Sequence, residues 1–149
     1  MEHNDVGYLL NRATRHLRLE LGEALSEIGL RPQQAAVLMA IARSPHGRLT
    51  PSSVADAIDT DAATTSGLLE RLARDGWLVS EPNPDDGRSR LVALSEQAQL
   101  VLPKVMACAE AVSATATACL SPEELETLGQ LLRCLCDQDD AKTTKAGAR

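Results

Sequence analysis

The residues of this chain that can do chemistry cluster in its middle third. Thr64, Thr65 and Ser66 stand in a row, Arg71 and Arg74 follow three apart, and Arg88 and Arg90 lie two apart; Ser52 and Ser53 precede them all. No nucleophile stands beside a base, and no catalytic triad, paired acid–base site or phosphate loop accompanies them. The chain is therefore not read as an enzyme. What these side chains offer is hydrogen bonding and charge pairing. Short hydroxyls in the first turns of a helix reach acceptors and anions, and the helix N-terminus itself favours an anion. Arginines two apart on a strand point to one face. The set suits recognition of an extended, polar, anionic object.

Several elements must hold these groups in place. Val6, Leu9, Leu10, Ala13, Leu17, Leu21, Leu25 and Ile28 recur at helical spacing, which predicts a helix from about Asp5 to Ile28, stopped by Gly29. Pro32 opens a second, strongly apolar helix to about Arg43, broken by Ser44-Pro45-His46-Gly47. Arg48-Leu49 reads as a short strand. Thr50 caps a short helix over Pro51 to Ile58, and Asp61 caps the next, over about Ala62 to Asp75, with Leu68, Leu69 and Leu72 inward and Gly76 as its end. Trp77 to Ser80 and Leu91 to Leu94 read as strands of one hairpin, joined by a loop in which Pro82 and Pro84 limit pairing. Ser95-Glu96 starts a long helix to about Leu120, where Pro103 predicts a kink. Ser121-Pro122-Glu123-Glu124 restarts a final helix carrying Leu125, Leu128, Leu131, Leu132 and Leu135.

Two short helices joined by a tight turn, followed by an arginine-tipped hairpin, make a winged helix-turn-helix. Duplex DNA offers one groove for the second helix and a neighbouring groove for the hairpin. Here the chain resembles the MarR family, the multiple-antibiotic-resistance regulators, over about Asp5 to Leu135. The resemblance is carried by Asp86-Gly87-Arg88, by Leu94-Ser95 where the family usually has Leu-Thr, and by Leu68-Leu69-Glu70-Arg71-Leu72 running to Gly76. It implies a symmetric dimer with six helices per subunit and a pseudo-palindromic operator. In many members a small molecule or an oxidant relieves repression. Two departures stand out: Arg31 occupies a position where the family often has a Thr cap, and Gly67 lies inside the recognition helix.

Each candidate residue also has a plainer reading. Thr64, Thr65 and Ser66 contact DNA, or they only cap and solvate the helix start. Arg71 and Arg74 share a face and either clamp phosphates or reach guanine; alternatively they pair with Glu70, Asp75 or Asp86. Ser52 and Ser53 hold a phosphate through the start of their helix, or are simply solvated. Of Arg88 and Arg90, one is expected in a narrow minor groove and the other to brace the wing, with Asp86 as a bracing partner. Spacing alone does not choose between them, and the resemblance favours Arg88 for the groove. Gly67 costs roughly 1 kcal/mol relative to Ala inside a helix, so it either lets the helix approach the groove floor or is a neutral accident. Arg12, Arg15, His16 and Met39 line a pocket for a small aromatic or anionic effector, or a wet helix face.

Bulk properties narrow the field. Hydrophobic residues make up 44% and charged residues 24%, while Trp77 and Tyr8 are the only aromatics, so the core must be aliphatic and mainly helical. The net charge is −6, so DNA binding must rest on a few placed arginines rather than on a basic surface. No apolar run spans a membrane and no signal peptide precedes the first helix, which points to a cytoplasmic protein. Cys108, Cys119, Cys134 and Cys136 form no CxxC pair, so neither a metal nor a cofactor is implied. Cys108 and Cys119 fall on an apolar stripe and read as core. Cys134 and Cys136 leave open a redox-responsive alternative, although Arg133 is their only adjacent cation. A protein-interaction module without DNA binding is the other alternative. The resulting plan is mainly α with a small β-wing. Residues 5–30 and 95–138 form a helical dimerisation region, 31–94 a winged helix-turn-helix domain, and 139–149 a disordered tail.

Overall fold

The computed structural model describes residues 5–146, with side chains described up to residue 137. The chain divides into two compact units, Met1–Val112 and Ser113–Arg149. The first unit holds helix α1 (Val6–Leu25), a turn of 3₁₀ helix (Ser26–Ile28), α2 (Pro32–Arg43), strand β1 (Arg48–Leu49), α3 (Pro51–Ala57), α4 (Ala62–Arg74), β2 (Leu78–Pro82), β3 (Arg90–Leu94) and most of α5 (Glu96–Ala116). The second holds the end of α5 and all of α6 (Pro122–Ala146).

Local chemistry sets the boundaries. The Asp5 carboxylate accepts from the Gly7 amide at 2.8 Å and starts α1. Gly29, at φ 80°, takes the left-handed conformation that stops the helix. Thr50 Oγ1 accepts from the Ser53 amide at 3.1 Å to start α3, and Ser121 Oγ accepts from the Glu124 amide at 3.2 Å to start α6. Glu124 returns a bond from its carboxylate to the Ser121 amide at 2.8 Å, closing a capping box. The two helices of the helix-turn-helix are separated by Asp59, at φ 51°, a left-handed position that Asp tolerates better than most residues.

The three strands form one antiparallel sheet in the order β1-β3-β2. Leu78 faces Leu94, and Pro82 faces Arg90 as the last pair. Proline thus closes the ladder from within β2, two residues further than the sequence suggests. The helix α4 hands over to β2 through Gly76 at φ 83°, with the Trp77 amide donating to the Leu72 carbonyl at 2.8 Å. Ser95 locks the other end of the wing, its hydroxyl donating to the Gly76 carbonyl at 2.7 Å.

The core is aliphatic, as the composition requires. Leu25, Leu38, Ile41, Val54, Leu72 and Val105 are fully buried, with Leu68, Leu78, Val92, Leu94 and Trp77 around them. Each fully buried side chain of this size contributes about 1.5–3 kcal/mol relative to exposure. Leu25 from α1 and Val105 from α5 join this cluster, so both helices are anchored to the winged helix. Other apolar residues find no cover: Val6, Tyr8 and Leu19 on α1, and separately Leu131 and Leu135 on α6, are at least half exposed. Helix α6 continues to Ala146, into the segment read as a tail, and residues 147–149 lie outside the described residues.

Candidate nucleic-acid interface

The outward face of α4 is defined by what its inward face buries. Thr65, Leu68, Leu69 and Leu72 are buried, leaving Ala63, Thr64, Ser66, Gly67, Glu70, Arg71 and Arg74 toward solvent. Thr65 therefore does not belong with the DNA-facing set. It is 1% exposed, on the same stripe as Leu68 and Leu69, and a side chain there cannot meet a groove. The spacing already carried this signal, because Thr65 lies three and four residues before two core leucines. Its Oγ1 is buried without a hydrogen-bond partner. An orphaned hydroxyl costs on the order of 1–3 kcal/mol, so Thr65→Val is expected to raise stability by about 1 kcal/mol without changing DNA affinity. Thermal denaturation of both proteins checks this; a lower melting temperature in the valine variant would show that the hydroxyl has a partner.

Thr64 is half committed. Asp61 Oδ1 accepts from the Thr64 amide at 2.8 Å, and Asp61 Oδ2 accepts from the Thr64 hydroxyl at 2.7 Å. The Thr64 hydroxyl has spent its proton and can offer a ligand only lone pairs and its methyl group. Ser66 is exposed, and its hydroxyl has no partner among the described residues. The amide and hydroxyl of Thr64, in that order of weight, hold the Asp61 carboxyl below its ordinary range. A carboxylate whose pKa is depressed on folding adds stability that is fully present above the unfolded value. That stability is lost as pH falls through the lowered one. Asp61→Asn is therefore expected to flatten the loss of stability in acid, below the usual carboxylate range, while leaving a cap in place. Melting temperatures from pH 7 to pH 2.5 test it; identical profiles for the two proteins would remove Asp61 from the acid response.

The wing separates its two arginines. Arg90 donates through Nε to Ser80 Oγ at 2.6 Å and through Nη2 to the Ser80 carbonyl at 2.9 Å, tying β3 to β2. Arg48 ties β1 to β2 through Glu81 at 3.2 Å. Arg88 is exposed, and no ion pair or side-chain hydrogen bond engages its guanidinium among the described residues. Asp86 braces the tip through backbone groups: its Oδ1 accepts from the Arg88 amide at 3.0 Å and its carbonyl from the Ser89 amide at 3.1 Å. Asn83 adds a bond to Ser89 Oγ at 2.8 Å. The tip is thus held by its own polar groups, with one arginine fixed and one free.

The remaining candidates fall out as follows. Ser52 and Ser53 are exposed in the first turn of α3, and Ser53 Oγ shares a 2.9 Å bond with Thr50 Oγ1. Arg74 meets Asp75 at 3.6 Å, a pair exposed enough to contribute little. Arg71 has no ion pair among the described residues. Arg12 and Arg15 are exposed on α1, and His16 meets Glu20 at 3.4 Å. Met39 borders a cavity of about 430 Å³ between α2 and α3. Arg43 borders that same cavity, and Arg18 and Arg31 line a second space of about 500 Å³ with Leu21, Pro32, Ile58, Asp59 and Thr60. They were missed because α1, α2 and the α3–α4 turn converge there only in the fold. Cys108 is half-buried, its thiol 3.6 Å from the Ala24 carbonyl, whereas Cys119 is exposed and not the core residue its stripe suggested. Cys134 and Cys136 are exposed free thiols on α6. Among the described residues no helix is long and apolar enough to cross a membrane.

Known proteins share this arrangement. The profile of the MarR family matches residues 28–89, from the start of the helix-turn-helix region to the wing tip. The transcriptional repressor NicR of Pseudomonas putida is 27% identical over 135 residues, 91% of this chain and 84% of NicR. Bordetella bronchiseptica BpsR, whose DNA binding is regulated by 6-hydroxynicotinic acid, is 27% identical and superposes with a TM-score of 0.83 over 92% of this chain and 96% of BpsR. A cysteine-to-serine variant of Escherichia coli MarR, solved with operator DNA, is 25% identical with a TM-score of 0.79 over 87% of this chain and 92% of MarR. With a probable transcriptional regulator of Pseudomonas aeruginosa that is 32% identical over 89% of this chain and 97% of that one, at a TM-score of 0.80, the matches assign the chain: it belongs to the MarR family of transcriptional regulators.

Proposed function

We propose that this protein is a homodimeric repressor of a pseudo-palindromic DNA operator, released by a small anionic ligand. The observation that carries the reading is the wing. Arg90 is consumed in bracing the hairpin, while Arg88 stands free at a tip stiffened by Asp86 and Asn83. A hairpin so stiffened presents a guanidinium at fixed reach, as insertion into a minor groove demands. Ser66, Arg71 and the lone pairs of Thr64 form the major-groove side, with Ser52 and Ser53 toward the phosphates. A second copy covers the exposed apolar residues of α1 and α6 and doubles a contact set too sparse to hold DNA alone. The likeness to NicR and to operator-bound MarR supports the repressor and operator parts of the reading.

The cavity we assign to the effector is that of Arg18 and Arg31, whose two positive charges outnumber the one carboxylate, Asp59, and whose apolar wall suits a small aromatic or aliphatic anion. Regulation of BpsR by 6-hydroxynicotinic acid supports a ligand of that size. A ligand bridging α1, α2 and the α3–α4 turn would bias the spacing of the two recognition helices. The experiment is a titration of the protein against duplexes from the region upstream of its own gene, across a salt series. Tight binding with a steep negative slope is expected. Absence of binding at low salt would leave the winged helix as a protein-interaction module.

A further inference from the structure

We propose that Arg71 reads a base rather than clamping a phosphate, and that Gly67 is the positioning residue that lets it do so; this rests on the DNA-binding reading above. Gly67 stands close to the centre of the face of α4 that lies opposite Leu68, Leu69 and Leu72. Arg71 follows one turn later, toward one flank. Long side chains on a helix run back toward its N-terminus. Arg71 does so here: its Nη1 comes within 3.8 Å of where a Gly67 Cβ would stand, and beyond the flanking residues and the helix's own backbone no other group of the described residues lies within 4 Å of that point. The guanidinium therefore lies over Gly67, at the centre of the outward face and at the level of the first two turns, where a recognition helix meets base edges. Without that open lane it would be held at the flank, where phosphates lie.

Nothing inside the chain explains the glycine otherwise. Its backbone is ordinary helix, a methyl group there meets, among the described residues beyond its own helix backbone and neighbours, that one flexible side chain, and glycine is a poor helix former. The other cation, Arg74, is the last residue of α4, two turns beyond Gly67, and Glu70 repels phosphate. Arg71 is left as the arginine of α4 that has no ion pair among the described residues and whose guanidinium reaches back over the first two turns. A planar fork in that place pairs with the O6 and N7 acceptors of guanine.

The test measures affinity for the operator and for a panel of duplexes in which each base pair of the half-site is changed symmetrically. Arg71→Lys keeps the charge but not the fork. It is expected to keep the salt slope while losing at least tenfold of the discrimination at one base pair per half-site. Gly67→Leu, which fills the lane, is expected to lose the same discrimination at the same base pair, with a melting temperature no lower than the parent's. Gly67→Ala leaves the guanidinium in ordinary contact and is expected to retain it. If Arg71→Lys binds and discriminates like the parent, Arg71 is a phosphate clamp and the proposal fails. If Gly67→Ala already loses discrimination, the glycine serves helix approach and its positioning role fails. A parent protein that binds none of the duplexes would sink the DNA-binding reading itself, and the proposal with it.

Discussion

Replacing Arg88 by alanine is expected to weaken operator binding by at least about tenfold and to make the salt dependence shallower by about two units, one lost contact for each wing of the dimer. The loss should be nearly uniform across operator variants, because a guanidinium in the minor groove senses groove width and potential more than base identity. The prediction follows from the division of labour on the wing. Arg88 makes no side-chain bond among the described residues, so its removal costs the free protein nothing in structure. Arg90→Ala is different in kind. It breaks the 2.6 Å and 2.9 Å bonds to Ser80 and should loosen the hairpin, lowering binding together with protection of β2 and β3 amides from hydrogen exchange. Fluorescence anisotropy with both variants separates the roles. An Arg88→Ala protein with parental affinity and parental slope would exclude the minor-groove assignment.

The double substitution Leu131→Glu/Leu135→Glu is expected to convert the protein to monomers and to reduce operator affinity by about a hundredfold or more, the scale at which a second linked site multiplies affinity. Both leucines lie one turn apart on α6, are 60% and 51% exposed, and contribute to no core among the described residues. Carboxylates there cost little in a solvated helix and a great deal in an apolar interface. Sedimentation reports the association state, and circular dichroism reports whether the protomer keeps its helices. A variant that remains dimeric and fully active would place the interface elsewhere. A variant that loses its helical signal would show that the protomer does not fold alone, as in obligate dimers.

Much of this was legible in the sequence because it is local. Asp61, Thr50 and Ser121 announce helix starts through bonds to amides three residues on, and Gly29 and Gly76 announce ends through a conformation other residues resist. The hairpin was likewise visible in two apolar runs around a loop of Pro, Asp and Gly. What escaped depends on pairs distant in the chain. That Arg90 braces and Arg88 does not is decided by the register of β2 on β3, which brings Ser80 within reach of Arg90 ten residues away. The cavity of Arg18 and Arg31 exists only where three elements meet, so no spacing along one helix could announce it. Thr65 is a different case. Its hydroxyl suggested a polar role, but its spacing from Leu68 and Leu69 placed it in the core, and the pattern outweighed the side-chain chemistry. On the proposed reading the acidic net charge is offset locally, since a few free guanidiniums at fixed positions can replace a general positive field.

The central claim is that two copies of this chain grip one duplex through paired recognition helices and wings. A hydroxyl-radical footprint on DNA upstream of the gene tests it most directly. The account predicts two protected half-sites related by a dyad, with centres about 10–10.5 base pairs apart, and minor-groove protection on their outer flanks that disappears in Arg88→Ala. A single unpaired protected segment, or flank protection that survives the loss of Arg88, would contradict it.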